Sequence, residues 1–422
     1  MEKIKVVIVG AGARGKDVYS KYIFNNPDIA KIVAVADPNE ERRKILVNQH
    51  NIVDENIFDN WRDLENRERI GDAIIIANND EDHYLPCKLA LEKGYHVLLE
   101  KPMSNNLEEC IKLGELAKQY PNQILMIAHV LRYTPFFETI KKIIDSGELG
   151  ELVSIQHNEN IGYWHYAHSF TRGNWKNSNE TSPLILSKSC HDMDILSWLT
   201  SSKCKKIAAF GSLSSLCSKH YDKNTMSERC LDCSVEESCP YSAVKLYLGE
   251  DPIMVNYLDP NPTRENVLKA LRNGDYGKCV YKCDNNVVDH MTTILEFENG
   301  VTSTFNLSAF TLDCNRTIKL MFTKGEVGGN DEKNTIEIKR FGEKEITTIY
   351  PTKVEGGHNG GDTKLTEAFL NSIRNKDLDI KTSAEISVQS HVMAFAAEYS
   401  RVNNVVVNID DFIRESMEME RD

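Results

Sequence analysis

Several groups of residues in this chain have the types and spacing to do chemistry. Lys101, in Glu100-Lys101-Pro102, follows the apolar run that starts at His96. A cation fixed there can polarise a hydroxyl or carbonyl oxygen. Taken alone, a surface lysine in a proline turn is the commoner reading. His191 precedes the helical pattern Met193, Ile195, Leu196, Trp198, Leu199 and so lies at or near a helix N-terminus. The helix dipole there disfavours an imidazolium, and a neutral imidazole can take a hydroxyl proton. The other reading is a histidine capping its own helix, with Asp192 and Asp194 serving the dipole.

Gly162 to Trp175, GYWHYAHSFTRGNW, concentrates Tyr163, His165, His168, Arg172 and Trp175. Such side chains suit both the hydroxyl edges and the C–H faces of a carbohydrate. They also suit a packed aromatic loop or a subunit contact. Gly356 to Asp362, GGHNGGD, reads as a flexible loop presenting His358 and Asp362, either closing over a substrate or capping the helix it opens. Cys230-x2-Cys233-x5-Cys239 has the spacing of a tetrahedral, structural zinc site, with the fourth ligand among Cys279, Cys217, Cys283 and His220. Free buried thiols and an iron–sulfur cluster are the other readings.

These residues need elements to position them. The apolar run Ile4 to Val9 ends in Gly10-x-Gly12-x-x-Gly15 and leads into a helical stretch. Strand, glycine turn and helix start form a cradle for a pyrophosphate: Gly10 permits the sharp turn, Gly12 lets backbone approach the phosphates, and Gly15 lets helix and strand pack closely. A second apolar run, Ala30 to Ala36, ends in Asp37. An acidic side chain there can bond both ribose hydroxyls, which favours NAD. Asp37-Pro38 also reads as a turn or cap, and Arg42 and Arg43 can accept the extra phosphate of NADP. Helix 39–49, strand 72–78, a helix closed by Gly94, strand 96–100, helix 107–119 and strand 123–129 follow in alternation, the pattern of a doubly wound parallel sheet.

Beyond residue 130 the pattern changes. LVSIQHNENIG, TTILEFENGVTSTFNLSAF and TIKLMFTKGEVGG alternate and turn at Asn299-Gly300 and Lys324-Gly325, which predicts hairpins of an antiparallel or mixed sheet. Helices near 134–146, 191–200, 364–375 and 384–403 are expected to cover one face of it. A Cys-rich insertion at about 201–285 interrupts the pattern. The chain has 422 residues, enough for two or three domains, and a net charge of −13, which argues against a general nucleic-acid binder. No stretch has the length of a membrane span and no leader is visible, so the cytoplasm is the expected location, with the eleven cysteines kept reduced.

GAGARG, Asp37, Glu100-Lys101-Pro102 and Arg132-Tyr133-x-Pro135 together resemble the glucose–fructose oxidoreductase / inositol dehydrogenase / MocA (Gfo/Idh/MocA) family over essentially the whole chain. The resemblance implies an α/β protein: a Rossmann domain, here 1–130, and a C-terminal α/β substrate and oligomerisation domain, 131–422, with a large open, mostly antiparallel sheet. It implies NAD or NADP, a carbohydrate or cyclitol substrate, and a homo-oligomer, dimer or tetramer, formed through the open sheet face. It gives Lys101 the catalytic role beside His191. The cofactor-binding set is then Gly10, Gly12, Ala13, Arg14, Gly15, Asp37, Asn78, His83, Glu100 and Lys101. The substrate-binding set is Arg132, Tyr163, His165, His168, Arg172, Trp175, Lys188 and His358. The family often carries Asp-x-x-x-His before a helix. Here the histidine is His191, but Ser187 takes the aspartate's place, leaving Lys188 or Asp192 as its polar partner. A branch of the family pairs such cysteines with Gly-x-Cys-Val-Tyr, here Gly277 to Tyr281, which favours Cys279 as the fourth zinc ligand.

Three functions are consistent with these residues. The first is hydride exchange between nicotinamide and a ring hydroxyl, with His191 as base and Lys101 steadying the oxyanion. The second is glycoside cleavage through a transient keto-sugar, with no net change in the cofactor. The third is a non-catalytic nucleotide sensor that kept the cradle.

Overall fold

The computed structural model describes residues 2–418; Met1 and residues 419–422, at the outer ends of the two expected domains, lie outside the described residues. Six strands, β1 (Ile4–Val9), β2 (Ala30–Ala36), β3 (Ile57–Phe58), β4 (Ala73–Ile76), β5 (His96–Leu99) and β6 (Leu125–Ile127), form a parallel sheet in the order β3-β2-β1-β4-β5-β6. This is the doubly wound Rossmann order, whose ligand crevice opens where β1 and β4 diverge. Ala73 to Ile76 are buried at every position because helices cover both faces of the sheet. Ile8, Ile75 and Leu98 have no exposed surface, and each such side chain contributes about 1.5–3 kcal/mol.

The nine remaining strands are β7 (Leu152–Asn160), β8 (Cys204–Ser212), β9 (His290–Phe297), β10 (Thr302–Ser308), β11 (Asn315–Phe322), β12 (Gly325–Asn330), β13 (Thr335–Arg340), β14 (Ile346–Ile349) and β15 (Val407–Asn408). They form one sheet, β14-β13-β12-β11-β7-β10-β9-β8-β15, antiparallel except where β10 runs parallel to β7. Alternation along β9 and β10 puts Met291, Leu295, Phe305 and Leu307 inside and leaves Thr292 and Ile294 outside. β8 lies within the expected insertion yet pairs with β9 in full, so the departure from the sheet begins only after Ser212.

Local chemistry sets the helix ends. Asn106 caps Leu107–Gln119, Thr134 caps Pro135–Ser146 with proline at its first position, and Ser383 caps Ala384–Asn403. The helix Ala384–Asn403 packs against Leu107–Gln119, Cys190–Thr200 and β8, locking the two sheets into one body. The helix Gly361–Asn375 does not lie on the second sheet as expected. It packs chiefly against Val130–Tyr133 and the segment after the glycine turn, which brings the GGHNGGD loop to the cofactor side. That segment starts as a π-helical stretch, Arg14–Ser20, before continuing as Lys21–Asn25; such bulges recur at functional sites.

Candidate active site

The dinucleotide cradle follows from the glycines. Gly10 holds φ +90°, and a Cβ there would lie 2.5 Å from the Ala77 carbonyl carbon. A Cβ at Gly15 would meet the Gly10 oxygen at 1.9 Å, so strand and helix pack only with glycine. At Gly12 a Cβ would meet only Arg42 Nη1 at 3.9 Å, which leaves open the face where phosphates approach. A groove of about 420 Å³ runs past Gly10, Gly12, Asp37, Arg42 and Asn78. The Asp37 carboxylate accepts the Ala11 N–H at 2.7 Å and the Asn39 N–H at 2.8 Å, which fixes its place in the groove. Arg43 is turned away: it bonds the Asp37 carbonyl and pairs with Asp59, so of the two arginines only Arg42 faces the groove. The residues present fit a dinucleotide. Ala13 precedes Arg14, whose guanidinium is spent on Glu100 (2.5 Å) and Asp362 (2.9 Å).

Lys101 and His191 come together at the C-terminal edge of this sheet. The Lys101 Nζ donates to the Ser187 carbonyl oxygen at 2.8 Å. Its neighbour Glu100 accepts from Arg14 and from the Tyr19 hydroxyl, both at 2.5 Å. Burial alone would raise the Glu100 carboxyl; Arg14 and Tyr19 outweigh it and hold it ionised. His191 sits in the first turn of Cys190–Thr200, buried, with both ring nitrogens unpartnered. Burial first, then the Lys101 charge, push its pKa well below the ordinary histidine value. The imidazole is therefore neutral, through desolvation and a neighbouring cation rather than the dipole alone. Ser187 supplies no carboxylate: its hydroxyl bonds the Pro183 carbonyl and its own carbonyl holds Lys101. Neither expected substitute reaches His191. Asp192 is spent on His157 and Arg316, and Lys188 pairs with Glu159 at 3.1 Å.

The His358 ring lies 5.8 Å from the His191 ring, and its Nδ1 is 3.1 Å from Asp362. His165 stacks on Trp164 and meets Cys314 Sγ at 3.6 Å; burial, then Lys188, keep it neutral. Trp175 donates to Asp80 at 3.2 Å and lines a cleft of about 660 Å³ with Asn78, so cleft and cofactor groove meet at that residue. His83 bridges the Pro102 and Asn78 carbonyls, so it ties the β4 and β5 loops together instead of facing the groove.

Four further expected substrate contacts have partners within the fold. Arg132 forms a bidentate pair with Asp194 (2.7 and 2.6 Å) and donates to the Lys381 carbonyl. Its guanidinium is spent on the fold, and breaking such a buried pair costs roughly 3–5 kcal/mol. His168 bonds the Tyr247 hydroxyl at 3.0 Å and stacks on Tyr276. Tyr163 packs edge-on against Tyr241. Arg172, 1% exposed, donates to the Lys278 and Tyr241 carbonyls.

Arg172 also borders the cysteines. Cys230, Cys233, Cys239 and Cys279 line one cavity of about 240 Å³. Arg172 Nη2 lies 3.5 Å from Cys230 Sγ, and burial raises the Cys239 and Cys279 thiols. Among the described residues no three His, Cys, Asp or Glu side chains are placed to hold one metal ion. The four cysteines line one cavity but form no such group, so the zinc expectation is not supported. Likewise, among the described residues no helix is long and apolar enough to cross a membrane.

Residues that sequence reading passed over complete the site. Arg316 on β11 pairs in register with Glu159 on β7, and both are buried. His157, Asp192, Glu159 and Lys188 complete one network around Arg316. Inward-facing polar residues in an alternating strand were the available signal. His129, just after β6, was legible by the same strand-end rule as Lys101. Its ring lies 5.7 Å from His191 and 5.4 Å from His391.

Burial holds all three of these histidines neutral, His391 down to about 3. Unfolded, each titrates near 6.5. As pH falls through that value the unfolded chain takes up protons that the folded chain refuses, so stability present above it is lost below it. Three such groups give a slope approaching roughly 4 kcal/mol per pH unit. Urea midpoints are expected to fall steadily between about pH 7 and about pH 5; a constant midpoint would mean the cluster charges without cost.

The comparisons with known proteins agree with this geometry. Residues 4–129 match the oxidoreductase family's NAD-binding Rossmann fold and residues 141–409 its C-terminal alpha/beta domain. The proposed oxidoreductase YteT of Bacillus subtilis (strain 168) is 25% identical over 337 residues, 76% of this chain and 77% of YteT. An inositol 2-dehydrogenase of Corynebacterium glutamicum (strain R) is 26% identical over 206 residues, 48% of this chain and 56% of that enzyme. The structure of scyllo-inositol dehydrogenase from Lactobacillus casei with NAD(H) and scyllo-inositol shares the fold at a TM-score of 0.66 and 18% identity, covering 97% of this chain and 100% of that one. With a cradle for a dinucleotide, a lysine–histidine centre at the strand ends and both domains matched, the chain belongs to the Gfo/Idh/MocA oxidoreductase family.

Proposed function

We propose that this protein is an NAD-dependent dehydrogenase of a ring hydroxyl on a sugar, cyclitol or glycoside. The observation that carries this reading is a buried, neutral His191 with two free ring nitrogens beside Lys101, at the edge where the dinucleotide groove opens. The inositol dehydrogenases among its relatives support the substrate class. The Ser187 carbonyl takes one of the three Lys101 N–H donors, and the others are free for the hydroxyl oxygen. His191 accepts the hydroxyl proton while Lys101 steadies the charge left on oxygen. NAD, when bound, supplies the acceptor for the carbon's hydride. The ketone, the reduced nicotinamide and one proton balance the reaction, and the same groups run it backwards.

The Asp37 carboxylate in the groove supports NAD over NADP. Asp37→Ser is expected to raise the KM for NAD about 10–100-fold, the value of a charged hydrogen bond or two, with kcat within about threefold. An unchanged KM would move NAD recognition off Asp37. The dinucleotide domain is taken to end near residue 130. Phe210 and Ile294, 64% and 51% exposed on the open face of the second sheet, support a homo-oligomer.

The test is nicotinamide absorbance against a panel of cyclitols, sugars and glycosides, with products assayed. NADH and ketone in equal amounts support the reading. Released aglycone with no NADH replaces it with glycoside cleavage. Tight NADH binding with no turnover on the whole panel replaces it with nucleotide sensing.

A further inference from the structure

Each oxidation in the proposed reaction leaves a proton on His191, and that residue is 4% exposed. The proton must reach water before the next turnover. Lys101, already an ammonium donating to Ser187, has no lone pair to accept it. The inward route runs from His191 to His129, then to Ser390 at 3.2 Å and His391. It ends there: His129 and His391 are wholly buried, and the His391 nitrogens are spent on the Ser387 carbonyl and the Met103 N–H. Asp194, a carboxylate near that end, is locked to Arg132.

Among the described residues, the outward route runs through His358. His358 has a side chain 38% exposed, and its ring centroid is 5.8 Å from that of His191. Its Nδ1 faces both Asp362 oxygens, at 3.2 and 3.1 Å, so Nδ1 carries the hydrogen and Nε2 is left as acceptor. Asp362 is buried and also paired with Arg14 of the glycine turn at 2.9 Å. The groups facing His358 are then His191 from its helix, Asp362 in the first turn of Gly361–Asn375, and His165 from the aromatic side. The loop is held in an unusual conformation: His358, Asn359 and Gly360 are left-handed in succession, at φ +50°, +52° and +86°. Two such non-glycine residues in a row are strained, and they persist where the surroundings over-determine them.

We infer that His358, oriented by Asp362, is the relay that carries the His191 proton to solvent. The inference rests on the proposed reaction. No direct hydrogen bond joins the two rings, so His358 Nε2 takes the proton from His191 through one bridging water; the Asp362 carboxylate stabilises the imidazolium, and the imidazolium gives a proton to bulk water. No other bond is made or broken.

Two experiments on the full-length protein with NAD test it. In the first, His358→Ala and His358→Gln are followed by stopped flow on the panel's turned-over substrate, with a pH indicator present. Hydride transfer in the first turnover is expected to stay near wild type, while proton release lags and kcat falls about 10–100-fold. Added imidazole is expected to restore most of that loss, which a structural role does not allow. Proton release in step with hydride transfer, or loss of the first turnover without imidazole rescue, overturns the relay. The second experiment needs no substrate. Solvent exchange of the His191 ring N–H, read by NMR on nitrogen-labelled histidine, is expected to slow at least about tenfold in His358→Gln, and unchanged exchange overturns the relay. Failure of the proposed reaction itself shows separately, as wild-type turnover in His191→Asn.

Discussion

Lys101→Met is expected to lower kcat/KM for the ring hydroxyl by about 10³-fold, roughly 4 kcal/mol of transition-state stabilisation. The magnitude follows from position. Lys101 Nζ is a fixed cation anchored by the Ser187 carbonyl, with Glu100 next to it locked by Arg14 and Tyr19. A charge held in place ahead of the reaction acts where negative charge develops and needs no reorganisation. Methionine keeps the length and apolar stem and removes only the charge. Stability is expected to change by about 1 kcal/mol, for the lost Ser187 bond. NADH affinity is expected to hold, because Gly10, Gly12 and Asp37 form the groove without the lysine ammonium. Full activity in Lys101→Met would remove the lysine from the chemistry.

His191→Asn is expected to cost about 10²–10⁴-fold in kcat/KM and to change the pH profile. In the wild type, burial and Lys101 keep His191 unprotonated well below its ordinary range. Activity in the oxidative direction is therefore expected to persist as pH falls past about 6.5, and the acid limb to appear only lower. Without the base, the rate is expected to climb about tenfold per pH unit as hydroxide substitutes. The Lys101→Met, His191→Asn double variant is expected to be little worse than the poorer single one, because the two act as a unit. Additive losses would place them in separate steps.

How much of this was legible in sequence differed by kind of residue. The Rossmann half was readable because each strand is a short apolar run closed by a turn signal, and Gly10 and Gly15 have steric reasons that the structure repeats. Lys101 followed from its strand end. In the aromatic segment the roles were not legible, because composition does not say which way a side chain points. Arg172 and His168 turn towards the Cys-rich insertion, and Arg132 serves Asp194, 62 residues away in sequence. Asp362 was visible only as part of a glycine-rich loop. Its pairing with Arg14 required the helix Gly361–Asn375 to pack on the Rossmann side, a tertiary choice that no local pattern encodes. The cysteine spacing was a true neighbourhood signal, since four sulfurs share one cavity, but proximity does not make a coordination sphere. Ser187 stands where the resemblance leads one to expect an aspartate. Neither Lys188 nor Asp192 fills the gap, because Glu159 and Arg316, residues of β7 and β11, claim them first.

The most direct single measurement follows the hydride itself. The protein is incubated with NAD and a ring-deuterated cyclitol or sugar chosen from the panel, and the nicotinamide is recovered and analysed. Deuterium on the nicotinamide ring, one per ketone formed, with the transfer abolished in His191→Asn, is the result expected of a Lys101–His191 dehydrogenase. Deuterium retained on the sugar carbon or lost to water while the substrate is consumed would contradict it.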